Sequence, residues 1–539
     1  MRHGPLLLVF AAMLFAALVR LRLADVPLER DEGEYAYAGQ LILRGIAPYQ
    51  LAYNMKFPGT YYAYSLILAL FGETARGIHI GLLVVDAATT FVIFLLGRRL
   101  LGAFGGAIAA AAFAILSLDR GTLGAFAHAT HFVLLPALAG LLLLLRSAES
   151  RSTVQLVGAG ALLGTAVLMK QQAIFFLPLA LGLVWWIESR SDARRLSVMA
   201  VRGMLVALGS AIPFGVLCAV LAAQGVLGRF WFWTFQYARQ YVSETPLSAA
   251  WSMFVLGLGN VTRPDLPLWV LGACGLVLLW LVRWTIEARV FLSGLVIASL
   301  LAISPGFYFR NHYFVLLLPA VALLVGVAVA SIARLLECVM PAAGAHVTGA
   351  MLFGIIVAAY AVREQDYLFF VPARDVSKLI YGANPFADAP EIARYIRERT
   401  TAADQIAVLG SEPEIYFYAN RKSATGYIYT YSVVEQQPLA PRMQAEMIHE
   451  VESAHPAYLV YIGIPTSWLA RNPGEYIFTW ADRYAHKCYD LAGVAEIFSS
   501  SESVFRWDAD AAGYVPRSKF LVYTFRRKSA VPCAVGSPS

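Results

Sequence analysis

LLGTAVLMKQQAIFFLPLALGLVWW, residues 162–186, is the stretch whose reading decides the fold. Two apolar runs meet at one cation, Lys170, and the second run ends on paired tryptophans. The pattern predicts helices near 154–170 and 172–188, with aromatic anchors where a bilayer meets water. An ionisable group at the end of such a run is costly unless it is paired or sits in a wet cavity. Lys170 is therefore a candidate functional residue.

Similar runs extend in both directions. Helices are expected near 5–22, 76–97, 101–118, 128–146, 203–223, 266–284, 290–308, 313–333 and 346–362, about eleven in all with the two above. Composition agrees. Of 539 residues 59% are hydrophobic and only 14% charged, where a soluble domain carries about a quarter charged. The expected fold class is a polytopic α-helical membrane protein with a C-terminal α/β extramembrane domain. The net charge of +7 is spread over helix ends and loops without a basic run, so no nucleic-acid partner is expected. The five cysteines show no zinc-ligand spacing. Cys488 and Cys533 fall in the C-terminal domain, where an oxidising compartment would permit a disulfide.

The first helix follows Arg2 and lacks an A-x-A-like cleavage site, so an uncleaved signal anchor is expected. Arg98 and Arg99, Arg146 and Arg151, Arg190 with Arg194 and Arg195, and Arg283 with Arg289 mark ends expected to face the cytoplasm. Arg20 and Arg22 count against that orientation. With the N-terminus inside, an odd helix count puts the C-terminal domain outside, at the plasma (inner) membrane.

Two long loops are expected on the outer side, residues 24–75 and 224–265. The second contains GRFWFWTFQYARQYVSE, residues 228–244, which reads as an amphipathic segment lying in the interface. From about residue 363 the composition becomes that of a soluble domain, which divides the chain into 1–362 and 363–539. There the helical patterns PEIARYIRERT and PRMQAEMIHEVESA alternate with the strand-like runs QIAVLG, AYLVYIG and KFLVYTF.

The first loop holds Glu29-Arg30-Asp31-Glu32-Gly33-Glu34-Tyr35. If a helix starts at Asp31 and ends at Gly45, Asp31, Glu34 and Tyr35 share one face. Asp31 and Glu34 then suit proton transfer, while Asp-x-x-Glu also matches a capping box; the two readings are compatible. Further along, Lys56 stands beside a Pro-Gly turn and the tyrosines Tyr61 and Tyr62, as a point charge for a phosphate; a snorkelling lysine is the plainer reading. Arg310-Asn311-His312-Tyr313 occupies a position matching that of Lys170. Asp119, His128 and His131 lie at a further helix end, the histidines three apart, a spacing that permits a metal without requiring one. One membrane face thus carries carboxylates, cations and aromatics, which suits a phosphate-bearing amphiphile.

Four segments, RDEGEYAYAGQLILRGIAPY, KFPGTYYAY, LLGTAVLMKQQAIFFLPLAL and RNHYFVLLLPAVALLVG, run in order over residues 30–326. In them the chain resembles bacterial relatives of the dolichyl-phosphate-mannose–protein mannosyltransferases and the lipid A aminoarabinose transferases, which are GT-C-type membrane glycosyltransferases. The resemblance implies a polyprenyl-phosphate sugar donor held at the bilayer and a glycan, lipid or protein acceptor. Asp31 would be the general base or acceptor-orienting residue. Lys56, Lys170, Arg310 and His312 would gather at the donor phosphate, and Glu32, Tyr35, Tyr61, Tyr62, Asp119, His128 and His131 would line the pocket. No cofactor is required by such chemistry; a divalent metal is possible but unsupported. The alternatives are an oligosaccharide ligase or oligosaccharyltransferase with a pyrophosphate donor, and a transporter or flippase. No internal repeat of the kind transporters carry is visible.

Overall fold

In hydrocarbon a helix satisfies every backbone polar group within its own segment, and the apolar runs of this chain fold accordingly. The computed structural model describes residues 4–190, 196–242, 245–470, 476–498, 502–529 and 533. The helical part comprises α1 (Gly4–Arg22), α2 (Arg30–Leu43), α3 (Gly59–Phe71), α4 (Ala75–Leu116), α5 (Ala129–Ser150), α6 (Thr153–Met169), α7 (Phe176–Ser189) and α8 (Leu196–Ala223). It continues through the short α9 (Leu227–Trp231) and α10 (Ala238–Val242), then α11 (Leu247–Thr262), α12 (Leu266–Leu281), α13 (Ile286–Ile303), α14 (Leu318–Leu336) and α15 (Ala342–Arg363).

Among the described residues eight helices are long and apolar enough to cross a membrane, nine if the bent pair α11–α12 counts as one span. The expected number of about eleven also counts the two halves of α4, a 42-residue helix broken at Gly102, and the 17-residue α6. α11 is a departure from the sequence reading, which left 224–265 as loop. Its 16 residues are too few to span a bilayer alone, and it meets α12 at 116°. The aromatic segment before it has two faces. A π-turn, Phe232–Tyr237, turns Trp233 and Tyr237 into the protein and leaves Trp231 and Phe235 outside.

α5 runs 22 residues from His128, roughly 33 Å at 1.5 Å per residue. At its far end Arg99 pairs with Glu149 at 2.7 Å and with Glu287 at 3.1 Å. The arginine-marked ends of α5, α13 and the α4 break therefore gather at the end of the bundle away from His128. Arg194 and Arg195 lie outside the described residues. Arg20 and Arg22 are consumed inside the fold. Arg20 pairs with Asp86 and donates to the Gly124 and Ser117 carbonyls at 2.9 and 2.8 Å. Arg22 donates to the Leu368 and Val371 carbonyls at 2.7 Å each.

Beyond α15 the chain forms a six-stranded sheet of order β2-β1-β3-β6-β4-β5. Its strands are β1 (Gln405–Leu409), β2 (Lys422–Ser423), β3 (Tyr458–Gly463), β4 (Tyr489–Glu496), β5 (Val504–Trp507) and β6 (Leu521–Arg527). β2, β1 and β3 are parallel; β6, β4 and β5 are antiparallel to their neighbours. The helices are α16 (Ala373–Tyr381), α17 (Ala389–Glu398), α18 (Glu414–Ala419), α19 (Tyr431–Val434), α20 (Ala440–Ala454), α21 (Pro465–Trp468) and α22 (Tyr476–Cys488). Cys488 and Cys533 are joined by a disulfide with Cα atoms 5.7 Å apart.

This domain sits directly on α2. A Cβ on Gly33 would come within 2.5 Å of the Glu414 backbone nitrogen, so α2 and α18 approach more closely than any side chain allows. Arg30 donates to Glu412 at 2.7 Å beside that contact, and Tyr53 donates to Glu450 at 2.9 Å.

Candidate active site

The start of α2 shows how the acidic cluster divides its work. Glu29, not Asp31, is the N-cap: its carboxylate accepts from the Glu32 backbone, and Glu32 returns the bond in a capping box. The helix also stops at Leu43, two residues before Gly45. The capping motif is thus shifted two residues from the position read in the sequence, and Asp31 is left with no capping duty. Glu32 is fully buried on the side away from the cavity. It accepts from the Ala127 backbone and lies 3.0 Å from His79 Nε2, tying α2 to the loop before α5.

Two close approaches bring the other motifs to Asp31. A Cβ on Gly59 would lie 2.3 Å from the Leu168 carbonyl oxygen, so the start of α3 rests against the end of α6. The Thr60 hydroxyl donates to the Met169 carbonyl and the Gln171 amide to the Met55 carbonyl, each at 2.7 Å. The Lys-x-Pro-Gly turn and Lys170 are thereby held side by side. Between α13 and α14 the backbone leaves helical geometry: Gly306, Phe307 and Phe309 all have positive φ (72°, 53° and 43°). Strain of this kind in two phenylalanines persists only where packing imposes it. It delivers Arg310 and His312 to the same place.

The result is a cavity of about 590 Å³, a size typical of small-molecule sites. Asp31, Tyr35, Lys56, Lys170, Arg310 and His312 all reach its wall. Asp31 Oδ1 accepts from Lys56 Nζ at 2.8 Å and from the Tyr429 hydroxyl at 2.8 Å. Its other oxygen, Oδ2, faces His128 Nδ1 at 3.7 Å and His312 Nε2 at 3.8 Å. Burial alone would raise the Asp31 pKa, but Lys56, His312 and His128 outweigh it and hold the carboxyl well below the usual range. Lys56 also donates to Glu34 at 2.6 Å. Burial works to lower its pKa, yet the two carboxylates keep it well above the ordinary lysine value. Glu34, buried under Lys56 and bonded by the Tyr61 hydroxyl, is pushed up by desolvation.

Lys170 lies 4.3 Å from the centre of the Tyr313 ring, and Arg310 stacks 5.5 Å from Tyr308. Among the described residues Lys170 pairs with no carboxylate. Of the two lysines it is the one whose charge is not already matched.

Several candidates from the sequence stand elsewhere. Asp119 is fully buried, accepting from the Gly121 backbone at 2.9 Å, and does not reach the cavity. His131 faces Asp86 at 3.1 Å in the buried Arg20 network. Tyr61 and Tyr62 lie behind the wall. His128 stacks on His312, ring centroids 4.3 Å apart and 15° from parallel. Asp31, His128 and His312 each bring one donor atom within 4.8 Å of the others, and these three could hold a divalent cation. Ligating histidines ordinarily use the second ring nitrogen to bond an outer partner, and neither nitrogen of His128 has a hydrogen-bond partner among the described residues.

The sequence reading missed part of the wall altogether. Trp233, Tyr237 and Arg239 come from the π-turn region, and Tyr429, Tyr431, Ser432 and Glu435 from the C-terminal domain. The three tyrosines at 427, 429 and 431, spaced by two, were the available signal for the latter.

Comparison with known proteins bears on the fold. Residues 56–217 match the dolichyl-phosphate-mannose-protein mannosyltransferase family. ArnT from Cupriavidus metallidurans, in a structure bound to undecaprenyl phosphate, superposes over 100% of both chains with a TM-score of 0.58 and 16% identity. The archaeal oligosaccharyltransferase AglB from Archaeoglobus fulgidus, in complex with an inhibitory peptide and a dolichol-phosphate, aligns over 94% of this chain and 75% of its own, with a TM-score of 0.53 and 14% identity. No curated protein matches the chain significantly in sequence. Within residues 56–217 the chain is similar to that mannosyltransferase family, and over nearly its whole length it shares the fold of the ArnT and AglB structures.

Proposed function

We propose that the chain transfers a sugar from a polyprenyl-monophosphate donor to a hydroxyl of a glycolipid, cell-envelope glycan or protein. The observation that carries this reading is one cavity in which the Asp31 carboxylate and the cations Lys170 and Arg310 share a wall. The donor phosphate sits against Lys170 and Arg310, and its lipid tail stays in the bilayer. Lys56, matched by two carboxylates, orients Asp31 instead of binding phosphate. The acceptor oxygen attacks the anomeric carbon from the face opposite the phosphate. The new C–O bond forms as the bond to the phosphate oxygen breaks, and polyprenyl phosphate leaves. The acceptor proton passes to Asp31, and the cations stabilise the charge growing on the phosphate. The carboxylate of the isolated protein is weakly basic, but an arriving phosphate adds negative charge nearby and raises its proton affinity. One displacement inverts the anomeric configuration. Undecaprenyl phosphate in ArnT and dolichol-phosphate in AglB support a lipid phosphate as the carrier.

Residues 1–362 form the catalytic membrane unit in this reading, and 363–539 a unit on the extracytoplasmic side of the plasma membrane. The Cys488–Cys533 disulfide and the arginines gathered at the opposite end of the bundle support that sidedness.

Purified protein incubated with undecaprenyl-phosphate sugars tests the reading. Expected are release of undecaprenyl phosphate, an inverted product anomer, and turnover that survives a chelator. Consumption of a pyrophosphate-linked donor with refusal of the monophosphate would replace it with the oligosaccharyltransferase reading.

A further inference from the structure

The two oxygens of Asp31 are not equivalent, and the difference is made by the C-terminal domain. Oδ1 accepts two hydrogen bonds, from Lys56 Nζ and from the Tyr429 hydroxyl, each at 2.8 Å. Among the described residues no donor stands within 3.5 Å of Oδ2 in a hydrogen bond; His128 Nδ1 and His312 Nε2 face it at 3.7 and 3.8 Å. Lys56 alone cannot fix the carboxylate. An ammonium offers three protons on a flexible stem, and this one is shared with Glu34 at 2.6 Å. The phenol of Tyr429 is a rigid second donor. Its ring is itself held, 5.6 Å from the ring of Tyr431 and 5.3 Å from Lys56 Nζ.

The irregular stretch carrying Tyr429 is anchored on both sides of it. At Gly426 a Cβ would collide with the Tyr53 ring at 2.2 Å, and the Gly426 carbonyl accepts from the Tyr53 backbone at 2.7 Å. At the other end Glu435 accepts from Tyr237 of the π-turn. The segment 426–435 is thus stitched into the membrane part at both ends, with Tyr429 over the carboxylate between them.

We propose that Tyr429 is a positioning residue for the transfer reaction. It saturates Oδ1, turns Oδ2 toward the acceptor, and makes Oδ2 the atom that receives the proton. The C-terminal domain then supplies part of the reaction centre itself. This rests on the function proposed above.

The test is Tyr429→Phe, which keeps the ring and removes one hydroxyl. Tyr427→Phe is the control; its hydroxyl bonds Glu446 within the C-terminal domain at 2.9 Å. Losing a hydrogen bond to a charged group should lower kcat about 10- to 100-fold, with the KM for an undecaprenyl-phosphate sugar within about twofold. Tyr427→Phe should keep wild-type kcat. In infrared spectra of protein carrying 13C-aspartate, the Asp31 carboxylate band is identified by its loss in Asp31→Asn. That band should shift in Tyr429→Phe and stay in place in Tyr427→Phe. The spectrum needs no substrate, so a shifted band in a protein that transfers no sugar would overturn the function while leaving the Tyr429–Asp31 hydrogen bond standing. An unmoved band, an unchanged kcat, or a raised KM at constant kcat in Tyr429→Phe overturns the positioning role.

Discussion

Asn at position 31 would keep the shape of Asp31 and lose its charge and its capacity to take a proton. Because the helix is capped by Glu29, Asp31→Asn leaves the capping box intact, and a lowered thermal midpoint would report the lost Lys56 ion pair and not a lost cap. Turnover should drop roughly 10²- to 10⁴-fold, the usual contribution of a positioned base. A variant with near wild-type turnover would move the proton elsewhere. Lys170→Met separates binding from chemistry. Its charge has no carboxylate partner among the described residues, so its removal should raise the donor KM and weaken retention of undecaprenyl phosphate without unfolding the bundle. Equal affinity in wild type and variant, measured by titration in detergent, would exclude it from the phosphate site. The sequence pointed to Asp31, Lys56, Lys170 and Arg310 because buried-level charge in an apolar chain is conspicuous. It could not separate their tasks. That Lys56 is occupied by Asp31 and Glu34, and that His131 serves Asp86, are facts of three-dimensional neighbourhood. The same holds for Arg20 and Arg22, which read as topology charges until their carbonyl and carboxylate partners are seen.

Elements were legible in proportion to their hydrophobic length. The long spans emerged from runs of some twenty apolar residues. α11 did not, since 16 residues between Pro246 and the Arg263-Pro264 turn are too short to announce a span and too apolar for a loop. In the C-terminal domain β1, β3 and β6 were plain β-rich runs. β4 was hidden because its register shifts between Leu491 and Gly493, which breaks the alternation a strand reading relies on. Packing between elements left its mark in glycine. Gly59→Ala would thrust a methyl group against the Leu168 carbonyl, 2.3 Å from its Cβ position. Overpacking of this kind costs about 1–3 kcal/mol and would part the Lys-x-Pro-Gly turn from Lys170. A lowered thermal midpoint together with a raised donor KM is expected. An unchanged midpoint would mean that α3 and α6 can separate freely.

At the scale of the whole molecule the two units are one device, since the cavity wall is drawn from both. Composition changes near residue 363; the docking of α18 on α2 could not be read there, because nothing local to Glu414 marks Gly33 as its neighbour. The disulfide between Cys488 and Cys533 ties the C-terminal tail to the end of α22. Alkylation of the unfolded protein without reductant should therefore leave both residues unmodified and label Cys218, Cys274 and Cys338, which are free. Labelling of all five would show the bridge absent in the cell-derived protein and remove one support for an oxidising location.

The hydrogen bond from Tyr429 to Asp31 joins residues 398 apart in the chain. A ribosome moving at 5–20 residues per second takes roughly 20–80 s to cover that distance. During that interval the nascent chain gains Lys56, Lys170 and Arg310 in turn, and only at its end the phenol that bonds the carboxylate. The C-terminal domain completes the cavity last, and a truncated or stalled product holds Asp31 without its second donor.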